Sequence, residues 1–237
     1  MPLELPTSDL DSLVTETLCA KHHEALSDLD QALMDLVNAL RETERLREVR
    51  KHLRAKWPVA TRLVVDGPRI ERWVLKRVMS YATLLREPLN GWRPPDWLPE
   101  VVFGTRKLGE RCGLALLTRV GDRLTDTETM GFTFGLGDDN QPLLGILEVR
   151  QGWKFLCTWE RPIDSLGGEA RLHGQTYALA EDVLFHPRRA EFEHEKKSLG
   201  VSLDFDWSGS WTERTCPSVV KLRRGHATAR DGGSRQG

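Results

Sequence analysis

The feature that most constrains this chain is a change of periodicity across residues 92–99. Before it, apolar residues recur every three or four positions; after it, they come in short runs broken by glycine and turn residues. A 3.6-residue period buries one stripe of a helix and a two-residue period buries one face of a strand, so the two patterns belong to different structures. The expected fold is α+β, with a helical N-terminal region over 1–90, an antiparallel β-rich region over 100–220 and a disordered basic tail over 221–237.

Within the helical part, Ser27-Asp28-Leu29-Asp30 has the form of a capping box, which predicts a helix start. Leu29, Leu33, Leu36, Val37, Leu40, Val49 and Leu53 continue the stripe to Trp57-Pro58, with a bend expected near Thr43. Asp66-Gly67-Pro68 supplies a cap and a first-turn proline for a second helix, whose stripe is Ile70, Trp73, Val74, Val78 and Tyr81 and which Pro88 closes. Arg69, Arg72, Lys76 and Arg77 fall on the rest of its circumference. The segment 90–97 reads as a rigid connector, with Trp92 and Trp97 sealing it onto a core. Strands are expected over 113–119, 130–136, 143–150, 153–160 and 201–207, joined by a tight hairpin at Gln151-Gly152 and a longer one at 137–141.

At 237 residues the chain is long enough to bury a core without disulfides or metal, so stability demands no cofactor, and none is expected. A hydrophobic fraction of 39% with 29% charged residues is that of a globular protein. The acidic start, MPLELPTSDLDSL, lacks the basic flank and apolar run of a signal peptide, and no apolar run approaches the roughly 20 residues of a membrane span. The expectation is a soluble, cytoplasmic protein with no membrane partner. The four cysteines, Cys19, Cys112, Cys157 and Cys216, have no paired spacing and read as reduced thiols, Cys112 and Cys157 as packing residues.

A formal net charge of -1 conceals an asymmetry. Up to Glu44 acids dominate, among them Asp28, Asp30, Asp35, Glu42 and Glu44; from Arg45 to Arg77 bases dominate. A dense basic stretch attracts phosphates through counterion release, and it equally pairs with an acidic stretch beside it. As a nucleic-acid surface it would use Arg50, Lys51, Arg54, Arg69, Arg72, Lys76 and Arg77, with the tail from Lys221 adding to it.

Cys19 and His22 stand in C-x-x-H spacing just before the first helix, followed by His23. Such a pair can meet one tetrahedral zinc ion from a turn, but a closed structural site needs two more ligands, and no second pair lies nearby. This segment resembles the closing half of the zinc-containing HNH endonucleases, where a C-x-x-C or C-x-x-H pair is followed by asparagine or histidine and then a helix. The stretch KHLRAKWPVATRLVVDGPRIERWVLK is similar to uncharacterised bacterial proteins that carry such a module ahead of a helical segment and a β-rich region. The resemblance covers the first third of the chain. Nuclease chemistry needs an upstream histidine pair, one a general base on water and one a metal ligand. The 18 residues before Cys19 hold no histidine and no cysteine, so the resemblance implies a module without its catalytic half, and no stoichiometric zinc is expected.

Other carboxylates fit structural roles. Asp138 or Asp139 with Glu148 and Arg150 imitates a metal-nuclease arrangement, but arginine cannot give up its proton as the usual lysine does, and the aspartates suit a turn. His186, Glu191, Glu193 and His194 surround Pro187-Arg188-Arg189 and read as a charged surface strand, and Asp204 and Asp206 alternate about Phe205 without an adjacent base. Two functions remain: a non-catalytic nucleic-acid accessory protein, or a protein-interaction module whose β-rich half presents an edge or face while the basic run pairs with the acidic N-terminus.

Overall fold

The protein is seen in a computed structural model that describes residues 3–4, 20–52, 60–84, 89, 91–117, 130–137, 141–149, 153–166, 169–172, 175–178, 183–194, 197–208 and 220–222. Leu29, Leu33, Leu36 and Leu40 build the buried face of helix α2, Ser27–Lys51, which follows a short helix α1, Ala20–Ala25. The expected capping box does not form. Leu26 holds the cap position, and the Ser27 hydroxyl donates back to the Glu24 carbonyl at 2.8 Å because α1 already precedes it. α2 runs unbroken through Thr43.

Residues 61–66, inside the part expected to be helical, form strand β2, Thr61–Asp66. Helix α3, Gly67–Leu84, follows at once, with the Arg69 N–H donating to Asp66 Oδ1 at 2.9 Å, as the cap signal requires. A one-turn helix α4, Leu98–Val102, leads into the β-rich part.

Its larger sheet comprises β1 (Leu3–Glu4), β3 (Gly113–Leu117), β4 (Gly131–Leu136), β5 (Pro142–Val149), β6 (Trp153–Thr158) and β9 (Val183–Phe185), in the order β1-β4-β5-β6-β3-β9 and antiparallel throughout. Val149 faces Trp153, so three residues separate the paired positions, one more than the tight Gln151-Gly152 hairpin predicts. A two-stranded hairpin joins β7 (Glu169–Leu172) and β8 (Gln175–Ala178). The second sheet has β10 (Arg189–His194), β11 (Lys197–Asp206) and β12 (Val220–Leu222), in the order β12-β10-β11-β2. The β-rich part is mainly antiparallel, as expected, with two parallel pairs in this sheet, β10 with β12 and β11 with β2.

The helices and both sheets share one core. Leu33, Leu36 and Leu40 of α2 and Trp73, Val74 and Val78 of α3 belong to the same buried cluster as Phe132, Phe134, Trp153 and Phe155 of the large sheet and Val201, Leu203 and Phe205 of β11. Gly145 lets α3 approach β5, since a Cβ there would stand 2.9 Å from the Phe132 ring and 3.1 Å from Val78. A smaller cluster covers the other face of the large sheet, including Leu117, Ile146, Leu156, Ile163 and Phe185. Trp92 and Trp97 pack against the core as expected, Trp92 within 5.8 Å of the Trp159 ring. Among the described residues no helix is long and apolar enough to cross a membrane.

Candidate functional site

The basic run is where the sequence places a binding surface, and most of its described side chains turn inward. Arg50, 5% exposed, donates from Nη1 to the carbonyls of Leu199 (3.0 Å) and Gly200 (2.5 Å) and from Nη2 to Thr61 Oγ1 (2.7 Å). It ties the end of α2 to β11 and to the start of β2, and burial holds its guanidinium below the usual range. Arg72 donates Nε to the Val102 carbonyl at 2.8 Å, joining α3 to α4, and burial followed by neighbouring Arg69 lowers its value too. Lys76 donates to both oxygens of Asp30 at 2.8 Å, and the Trp73 indole donates to Asp30 Oδ1 at 2.9 Å. The Arg77 guanidinium, also buried, lies 4.7 Å from the centre of the Trp73 ring.

Lys76 is therefore not on an exposed circumference, as the helical stripe suggests. α3 is enclosed by α2 on one side and the sheets on the other, so six consecutive residues from Trp73 to Val78 are buried. Arg69 alone of the seven has a half-exposed described side chain, and it sits beside Asp66 and Asp28, with N–O distances of 3.4 and 3.8 Å. The side chain of Lys51 and all of Arg54 lie outside the described residues, as does the segment 223–237. Asp28 with Arg69, Asp30 with Lys76, Glu42 with Arg45 and Glu44 with Arg47 join the acidic stretch to the basic one.

A second cluster was not legible as a site in the sequence. Glu71 on α3 and His186, in the link from β9 to β10, meet at 2.7 Å between Oε2 and Nε2, and the Leu114 N–H donates to the same oxygen at 2.7 Å. His186 is not a surface residue, as its charged neighbours suggest. Its ring lies between those of Phe185 and Trp207, each centroid 4.0 Å away. Three residues here have a positive φ: His186 itself (φ 44°), Arg111 (φ 58°) and Gly113 (φ 136°). A Cβ on Gly113 would collide with Glu71 Oε2 and stand 2.8 Å from His186 Nε2, so only glycine fits. Arg111 lies 5.2 Å from the Phe185 ring and forms a fork with Asp164, whose carboxyl the Arg111 hydrogen bond holds below the usual range.

Compared with protein-family models, curated proteins and solved structures, this chain matches none.

A carboxylate and an imidazole in contact are the components of a general base, which must reach the proton it takes. Here the side chains are 15% and 6% exposed, Nε2 is occupied by Glu71 and both ring faces are covered, so the chemistry available is that of a clasp between α3 and the link joining the sheets. Burial, and after it the charge of Glu71, pushes the nearby Cys157 thiol well above the usual range, away from the thiolate a nucleophile needs.

Of the remaining candidates, Cys19 lies outside the described residues, and His22 is exposed with its ring 5.6 Å from that of Phe103. Among the described residues no group of three or more histidines, cysteines and carboxylates is placed to hold a metal ion. Glu148 is paired in register with Lys154, while Asp138, Asp139 and Arg150 lie outside the described residues. Asp204 forms a fork with Arg189 at 2.6 and 2.8 Å. Burial raises its carboxyl, but bonds from Arg189 and Ser202 outweigh that and leave it lowered. Asp206 accepts the Ser208 N–H at 2.8 Å, a turn contact.

Proposed function

We propose that this chain is a protein-interaction module in which the basic run is part of the fold and the outer edge of β2 is the docking line. One observation carries the reading: Arg50, Lys76 and Arg77 are buried among internal partners, while Val64 of edge strand β2 stands 64% exposed. Phosphate contact by Arg50 or Lys76 would require breaking hydrogen bonds that tie α2 to β11 and to α3, and Arg77 would have to leave the Trp73 ring. An edge strand, by contrast, offers a row of backbone donors and acceptors to any extended segment, and an apolar side chain in water beside it favours cover.

A nucleic-acid accessory role is the second reading, supported by the exposed Arg41 and Arg62 and the half-exposed Arg69. Lys51, Arg54 and the tail would have to carry most of it. Electrophoretic shift and calorimetry with duplex DNA and single-stranded RNA at about 50 and 200 mM salt separate the two, because phosphate contacts are strongest at the lower value. The interaction reading expects no shift at either concentration. Binding at low salt that falls steeply with a slope near the number of phosphates engaged would put the nucleic-acid role first.

A further inference from the structure

The outer edge of β2 has features that select one partner. β2 ends the order β12-β10-β11-β2, and among the described residues no strand pairs with its other side. Leu63 and Val65 point to the core, so Arg62, Val64 and Asp66 share the opposite face. Among the described residues Val64 is the most exposed large apolar side chain, ahead of Met34 at 51% and Val49 at 47%. Along six residues the strand thus carries a cation, a bare valine and an anion at equal spacing.

We propose that the occupant of this edge is a second copy of the chain, paired antiparallel through β2 with Val64 on the twofold axis. In that register Val64 faces the second copy's Val64, Leu63 faces Val65, and Arg62 faces Asp66 at both ends. Residues opposite one another across an antiparallel pair point to the same face, so a one-residue slip would set the core-facing side chains of one copy against the bare face of the other. A two-residue slip keeps the faces aligned but separates both charge pairs. Asp66 has room for the second guanidinium: its carboxylate holds the Arg69 N–H at 2.9 Å and Arg69 Nε at 3.4 Å, and its side chain is 42% exposed. Arg62 has a competing anion in Asp204 on β11, whose value it helps to lower. The product is a continuous eight-stranded sheet, four strands from each copy. A contact confined to one short strand falls in the small, transient class, below about 1,200 Å² in total, so the dimer is concentration-dependent.

This inference deepens the interaction reading. The test is sedimentation velocity of the full chain from about 10 μM to about 1 mM, a range that spans weak association, beside V64K and V64E, each checked by circular dichroism for an unchanged fold. The wild type is expected to shift from monomer to dimer across that range. Each variant alone places like charges against each other on the axis and stays monomeric, and an equimolar mixture, with opposite charges there, recovers the dimer. A wild type that is monomeric throughout, a variant that dimerises like wild type, or a mixture that stays monomeric would each overturn the proposal. The interaction reading fails separately: a monomer that leaves nucleic acid alone keeps that reading with a different partner, and a monomer that binds nucleic acid in a salt-steep manner removes both.

Discussion

Asp30 accepts three hydrogen bonds from α3, two from the Lys76 ammonium and one from the Trp73 indole. The two partners differ in access to water: the Lys76 side chain is 4% exposed and that of Asp30 40%. Removing the acid strands a buried ammonium and an indole N–H, whereas removing the base leaves a carboxylate that water reaches. We expect Asp30→Ala to cost about 3 kcal/mol, the low end of breaking a buried pair, and Lys76→Met about 1 kcal/mol or less, since an apolar chain of similar shape fills the site. Urea unfolding of both variants checks this, and equal costs, or a larger one for Lys76→Met, would refute it. The acidic and basic stretches were visible in the sequence, and so was the possibility that they neutralise each other. Which acid meets which base was not, because Asp30 and Lys76 lie 46 positions apart and only the packing of α2 on α3 joins them.

Elements with a long, regular pattern were legible: α2 and α3 appear where their leucine, tryptophan and valine stripes place them, and β4, β5 and β6 where the short apolar runs between glycine and turn residues do. β2 was missed because its apolar run is only three residues long, Leu63 to Val65 between Arg62 and Asp66, inside a charged region that reads as helical, and its pairing strand, β11, lies some 140 residues further on. The Glu71–His186 clasp was missed for the same reason, its members standing 115 positions apart with no local motif. Gly113 gave no signal of its own, yet it stands where three elements converge. Gly113→Ala would place an alanine at positive φ and push a methyl into Glu71 and His186. We expect a loss of about 2 kcal/mol or more by thermal or urea unfolding, from backbone strain and clash together. Trp207, stacked on His186, provides a second readout, and its fluorescence should change if the clasp opens. A Gly113→Ala variant as stable as the wild type would show that the clasp yields at no cost.

For the molecule as a whole, the change of periodicity located the passage from helix to strand but did not mark a seam, since β2 pairs with β11 and the helices share a core with both sheets. The basic run follows from that architecture: several of its residues join parts of the chain that are distant in sequence. Arg50 is the clearest, bridging α2, β2 and β11 through three hydrogen bonds. The most direct test of the claim that this run holds the fold is Arg50→Met, measured for unfolding free energy and for affinity to duplex DNA at about 50 mM salt, where a lost phosphate contact is most visible. Arg50→Met is expected to lose about 2 kcal/mol, the cost of leaving carbonyls and a hydroxyl without their donor, while neither it nor the wild type binds DNA. Unaltered stability together with weakened DNA binding would contradict the claim.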